Sequence, residues 1–152
     1  MYIEVIMLKR VLIFSLILLI SYLSWFYLIP FISMLLGRLI VKLKLKKYKP
    51  LKKTFGFDYL VKKDKLYLIK IYPDRGLIIN KDHKWLSLNK NKKKEIVNPK
   101  IILKNNFSSI SKYYGVKKSD IKLIACFISS ASIHIKDKDV LVCHEENITA
   151  QF

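Results

Sequence analysis

Three histidines, two cysteines, a group of serines and a dense run of lysines are among the residues of this 152-residue chain whose chemistry could extend beyond packing. His83, His134 and His144 have neither the i, i+4 spacing of a helical metal pair nor a CxxC partner, so they are expected as solvated or core histidines. Cys143 and His144 are adjacent, which on a strand points them to opposite faces. Cys126 and Cys143 sit in apolar runs without paired spacing and are expected as reduced core residues. Ser129, Ser130 and Ser132 belong to no nucleophile motif and suit the approach to a turn. The glycines are Gly37, Gly56, Gly76 and Gly115, too scattered for a phosphate-cradling loop. Charge is the stronger signal. The formal net charge is +18, and Arg38, Lys42, Lys44, Lys46, Lys47, Lys49, Lys52 and Lys53 follow one another with no acidic residue between them. Such a run attracts anionic lipid headgroups or a nucleic-acid backbone, or it serves only as the stop-transfer flank of a membrane span.

The element that would position this run is the stretch before it. Residues 11–36 contain no charge. Hydrocarbon about 30 Å thick needs about 20 apolar residues as helix, the one form of a single segment that satisfies its own backbone in lipid. A cleaved signal peptide would have a shorter apolar region and a small-residue cleavage site, and a core helix this long would need a larger domain around it. The stretch is too short to cross twice. The other flank has Lys9 and Arg10, offset by Glu4, so the positive-inside rule places residues 38–152 in the cytoplasm. Pro30 removes a backbone donor and marks either a kink or the exit. Tyr22, Trp25, Phe26 and Tyr27 favour the lipid–water boundary, which would shift the span toward 8–27 and lay 31–45 along the surface. Leu35, Leu39 and Leu43 recur at helical spacing opposite Arg38, Lys42 and Lys46, a pattern that suits a basic amphipathic helix on a negative leaflet. LKLKLKK also alternates like a strand. The organisation read here is a flank at 1–10, a transmembrane helix at 11–36, a basic juxtamembrane segment at 37–54 and one domain at 55–152.

In that domain FGFDYLV and LYLIKIY read as strands around the turn KKDK, and Tyr72-Pro73-Asp74-Arg75-Gly76 reads as a Pro-initiated turn closed by Gly. LIIN and WLSL continue as short strands, and NKNKKK reads as a solvated loop. Asn98 and Pro99 open a helix whose stripe is Leu103, Phe107, Ile110 and Tyr114, with Gly115 as its stop. IKLIACFI is an apolar strand of the kind buried on both faces. SIHI and VLVC are expected to form a hairpin around residues 136–139, and EENI to begin a last helical turn. The fold class is a small α/β domain with a mixed sheet, preceded by one transmembrane helix.

This order resembles the nuclease-related domain family (NERD), itself similar in fold to restriction-endonuclease-like nucleases. The likeness runs from about Phe55 to Ile148 and rests on FDYLV, LYLIKIY, the Gly76 turn, Trp85, the Asn98-Pro99 helix start and IKLIACF. In active members of such a family an Asp and a Glu-x-Lys converge at one sheet edge. The carboxylates hold a divalent metal that activates water, and the Lys orients that water. The resemblance puts Asp58 at the Asp position, but Lys70 stands at the Glu position, Tyr72 at the Lys position and Ile102 where a helix Gln is usual. An ammonium within 4 Å of a metal repels it by about 4 kcal/mol per unit of metal charge at an effective dielectric of 20. The resemblance therefore implies a degenerate, non-cleaving relative with no cofactor, in which Asp58 and Lys70 form an ion pair. Such a module would hold a nucleic acid, a protein or the domain's own homologue at a membrane whose anionic lipids attract the basic run. One alternative is an active nuclease using Mg²⁺ with a carboxylate supplied by Asp64 or Asp74, residues otherwise explained as turn formers. Another is a structural membrane protein that binds only protein. Lys62, Lys63, Lys65, Lys81, Lys84, Lys90, Lys92, Lys93 and Lys94 add further non-specific contacts for a nucleic-acid backbone, or simply solubilise exposed turns.

Overall fold

A computed structural model of the chain describes residues 2–81, 84–89, 92–128 and 131–152; His83, Lys90, Ser129 and Ser130 lie outside the described residues. The chain divides into two compact units, Met1–Leu36 and Gly37–Phe152.

The first unit is helical. Helix α1 spans Tyr2–Leu23, a π-helical turn covers Ser24–Leu28, and helix α2 begins at Ile29 and runs to Lys46. The Ile29 N–H reaches back to the Ser24 carbonyl, five residues away, so the turn before Pro30 is widened. A proline at 30 has no N–H for the Phe26 carbonyl, and a π-turn is one way a helix absorbs that loss without ending. Lys9–Lys46 is long and apolar enough to cross a membrane, and none of its most apolar window is buried.

The second unit begins with the rest of α2, so residues 37–54 belong to the same compact unit as the sheets. Gly37, Val41 and Leu45 are buried, whereas Leu39 and Leu43 are exposed, as are Arg38, Lys42 and Lys46. Gly37 lies so close to Ile128 that a Cβ there would collide with the isoleucine side chain. A third helix face, absent from the two-sided amphipathic reading, thus docks on the fold. Tyr48 packs on Phe152 at 4.6 Å between ring centroids, and Phe152 on Tyr67 at 4.9 Å.

The remaining elements are β1 (Tyr59–Lys62), β2 (Leu66–Tyr72), β3 (Gly76–Lys81), β4 (Lys84–Asn89), β5 (Lys92–Ile96), α3 (Pro99–Tyr114), β6 (Ile121–Phe127), β7 (Ala131–His134) and β8 (Val140–His144). They form two four-stranded mixed sheets, β1-β2-β6-β8 and β5-β4-β3-β7, rather than the one sheet expected. The parallel pair β2/β6 is followed directly by the parallel pair β3/β7 in the other sheet. The break between β2 and β3 falls where Pro73 cannot donate to a ladder and Gly76 takes φ +83° against the Leu88 carbonyl. The core gathers Trp85, Phe127, Leu66, Leu68, Ile110 and Tyr72, with Tyr72 stacked on Phe127 at 5.0 Å.

Three expectations change. FGFDYLV is extended only from Tyr59, because Phe55 (φ 49°) and Gly56 (φ 85°) turn the chain first. Part of the lysine-rich loop is strand β5, an edge strand whose exposed lysines discourage further pairing. The segments SIHI and VLVC are not a hairpin, since β7 pairs with β3 and β8 with β6. Helix α3 and the buried strand β6 lie where the sequence places them, and a 3₁₀ turn covers Glu145–Gln151.

Candidate functional site

Asp58 stands just after the Phe55–Gly56 turn, and its N–H donates to the Ile69 carbonyl at 2.9 Å, which begins the β1–β2 ladder. Its side chain folds back on β2. Oδ2 accepts the Ile71 N–H at 2.8 Å and lies 3.2 Å from Lys70 Nζ. The same ammonium donates to the Gly56 carbonyl at 3.2 Å. Two charges and two backbone groups therefore close on one another at this corner. Lys70 and Asp58 remain 27% and 28% exposed, so the pair is partly screened by water.

Tyr72 shares the Lys70 face of β2 by strand alternation, yet it is core. Its hydroxyl donates to the Val97 carbonyl at 2.7 Å. Burial, with Asp58 and Asp74 adding to it, pushes its ionisation far above the usual phenol range. A neutral, engaged phenol does not replace an ammonium that orients water. The two carboxylates considered as substitutes are occupied elsewhere. Asp64 lies in the turn at the other end of β1 and β2, where it accepts the Tyr67 hydroxyl at 3.0 Å; that bond holds its carboxyl below the usual range. Asp74 pairs with Lys94 at 2.6 Å. Among the described residues no three His, Cys, Asp or Glu side chains gather as a metal-holding group. One carboxylate facing an ammonium does not fit Mg²⁺, which takes oxygen ligands from several groups.

The basic run divides by role. Lys44 is withdrawn from the candidate binding set: its ammonium donates to the carbonyls of Glu146 at 2.7 Å and Glu145 at 3.3 Å, tying α2 to the end of the chain. Lys53 lies over Tyr113 at 4.6 Å and Phe55 at 4.9 Å, and Lys47 over Tyr48 at 4.9 Å, cation–π contacts that leave both lysines exposed. Arg38, Lys42, Lys46, Lys49 and Lys52 are exposed.

Two juxtapositions escaped sequence reasoning. Cys126 and Cys143 are register partners on β6 and β8, both buried, and a hydrogen bond between their thiols together with burial pushes Cys126 upward. No local spacing announces a pairing between strands. The other is a cluster of lysines around α3. Lys100 and Lys104 are four residues apart beside the apolar stripe, a signal that was legible and passed over. No family model matches the chain, and neither does any curated protein or solved structure.

Proposed function

We propose that this chain is a membrane-anchored protein whose α/β unit faces the cytoplasm and is a non-cleaving relative of the nuclease-related domain, holding a nucleic acid or a protein at the membrane. Its fold would be a restriction-endonuclease-like core carried by β1, β2, β3, α3 and β6. Three features support the anchoring: the long apolar helix, its uncharged stretch at 11–36, and the heavier basic flank after it. The observation that carries the non-catalytic reading is the Asp58 carboxylate, held by the Lys70 ammonium and the Ile71 N–H where an acidic pair would be needed.

The test uses the full-length chain in phosphatidylcholine nanodiscs, incubated with supercoiled plasmid and Mg²⁺ or Mn²⁺. No nicking is expected. Metal-dependent nicking that Asp58→Ala abolishes would overturn the reading. Protease added to intact cells should leave the lysine-rich unit whole, and its digestion there would reverse the orientation. Binding of fluorescent DNA that weakens steeply with salt would select nucleic acid over protein.

A further inference from the structure

Between the first half of α3 and the starting ends of β6 and β8 lies a cleft of about 590 Å³, within the range that holds small molecules. Its floor is largely aliphatic, with Leu103 and Phe107 from the helix meeting Ile121, Leu123 and Leu141 from the strands. Lysine makes up its rim. Lys100, Lys104, Lys118, Lys122 and Lys138 line it, against the single carboxylate of Asp139. That carboxylate is already engaged, because Lys100 Nζ lies 2.7 Å from Asp139 Oδ2 and 2.7 Å from Asp137 Oδ1. Among the described residues the ammonium groups of Lys104, Lys118, Lys122 and Lys138 make no hydrogen bond or salt bridge, although Lys118 and Lys138 act on Asp139 through space. Four such cations over an apolar floor focus a positive potential into the cleft.

We propose that this cleft binds an anionic single-chain amphiphile, its aliphatic chain on the floor and a carboxylate or phosphate head under the lysine rim. Both halves of the cleft then meet their complement. Single-stranded nucleic acid would use the rim but wants aromatic or arginine stacking platforms, and the floor offers Phe107 alone. A protein partner is disfavoured by the rim itself, since interfaces are depleted in lysine and anchored by Tyr, Trp and Arg. The proposal goes beyond the reading of the Asp58 corner and does not depend on it.

The full-length chain in phosphatidylcholine nanodiscs is irradiated with a diazirine-bearing palmitate, the matching alkyl phosphate, or the matching alcohol, and the labelled residues are mapped by mass spectrometry. The acid, the phosphate or both should label residues 103–107, 121–123 or 141; which of them does so identifies the head. The alcohol should label the apolar helix only. Lys104→Glu with Lys122→Glu, both at exposed positions, should lower cleft labelling about tenfold or more by turning attraction into repulsion. Leu141→Gln, at a floor residue 38% exposed, should lower it with every lysine in place. Thermal melts confirm that each variant folds. Labelling confined to residues 11–36, equal cleft labelling by the alcohol, or variants labelled like the native chain would overturn the proposal. So would an unlabelled cleft whose lysine variants lose binding to fluorescent oligothymidine.

Discussion

The α/β unit carries charge in two opposite arrangements. At the Asp58 corner the carboxylate meets an ammonium at 3.2 Å and a backbone N–H at 2.8 Å, and the ammonium meets a carbonyl, so the corner answers its own charges. Along the α3 cleft, Lys104, Lys118, Lys122 and Lys138 stand over apolar side chains with no hydrogen bond or salt bridge among the described residues, and Lys118 and Lys138 feel Asp139 only through space. A pair that satisfies itself is part of the fold and has little left to offer a ligand. Cations that outnumber the nearby carboxylates repel one another, and an anion brought from outside would relieve them further. Resemblance draws the eye to the first region, and physical chemistry favours the second as the place where binding is still open.

The sharpest way to break this contrast is Asp58→Ala. The change strips the Ile71 N–H and Lys70 of their partner at a corner that is only partly wet. The expected loss is about 1–3 kcal/mol of unfolding free energy, the range for leaving such groups unsatisfied. Chemical denaturation of the full-length chain in detergent, followed by the circular dichroism of the α/β unit, measures it. Unchanged stability would mean that the corner is not self-contained and that Asp58 is available for other work.

Tyr72→Phe comes next. It removes the donor to the Val97 carbonyl, at a cost of about 0.5–1.5 kcal/mol. It should also change the alkaline limb. The folded state holds the Tyr72 phenol neutral to far above its ordinary value of 10.0. Its contribution is therefore complete below that pH and is lost as pH rises beyond it, where the unfolded chain gives up the proton first. Native stability should fall above about pH 10 more steeply than that of Tyr72→Phe. Parallel limbs would show that the hydroxyl is not held as described.

What the sequence revealed follows the reach of each signal. Helix α3 was legible because its determinants are local. Asn98 accepts the Lys100 N–H at 2.9 Å, Pro99 sits at the first turn, and Gly115 takes φ 64° beyond the last. Strand β6 was legible because a strand lying between two parallel neighbours is apolar throughout. The division into two sheets was not, since it depends on where β2 and β6 break together and not on either strand alone. Strand β5 was hidden by its own lysines, which an exposed edge tolerates and composition reads as loop. At the candidate site, the resemblance implied the Asp58–Lys70 pair, and the two lie 3.2 Å apart. Lys44 was misplaced because its partners, the Glu145 and Glu146 carbonyls, lie about a hundred residues away. Gly37, Val41 and Leu45 form a docking stripe at i, i+4 and i+8, but it was masked by the louder leucine and lysine stripes of the same helix.

A smaller effect sharpens the contrast from the corner side. Lys70→Met removes the ammonium but leaves Asp58 with the Ile71 N–H, so that backbone bond persists, and what is lost is the partly exposed pair and the exposed bond to the Gly56 carbonyl. The expected destabilisation is below about 1 kcal/mol, clearly less than for Asp58→Ala. If the two substitutions cost the same, the ion pair and not the backbone bond holds the corner, and its screening by water has been overestimated. A double-mutant cycle between positions 58 and 70 separates the two contributions.

The smallest shift is expected in the cleft, and its sign matters more than its size. Lys104→Ala deletes an exposed cation that has no hydrogen bond or salt bridge among the described residues, so no such contact is lost. Relief of repulsion from Lys100, Lys118, Lys122 and Lys138 should leave stability unchanged or raise it by up to about 0.5 kcal/mol. Salt supplies the control. The Debye length is about 10 Å at 0.1 M and about 3 Å at 1 M, so any gain should shrink as salt rises. Denaturation midpoints of native and variant chains, compared at low and high salt, read both effects. A clear loss of stability at low salt would mean that Lys104 is answered within the fold, as Lys70 is, and the difference between the two regions would disappear.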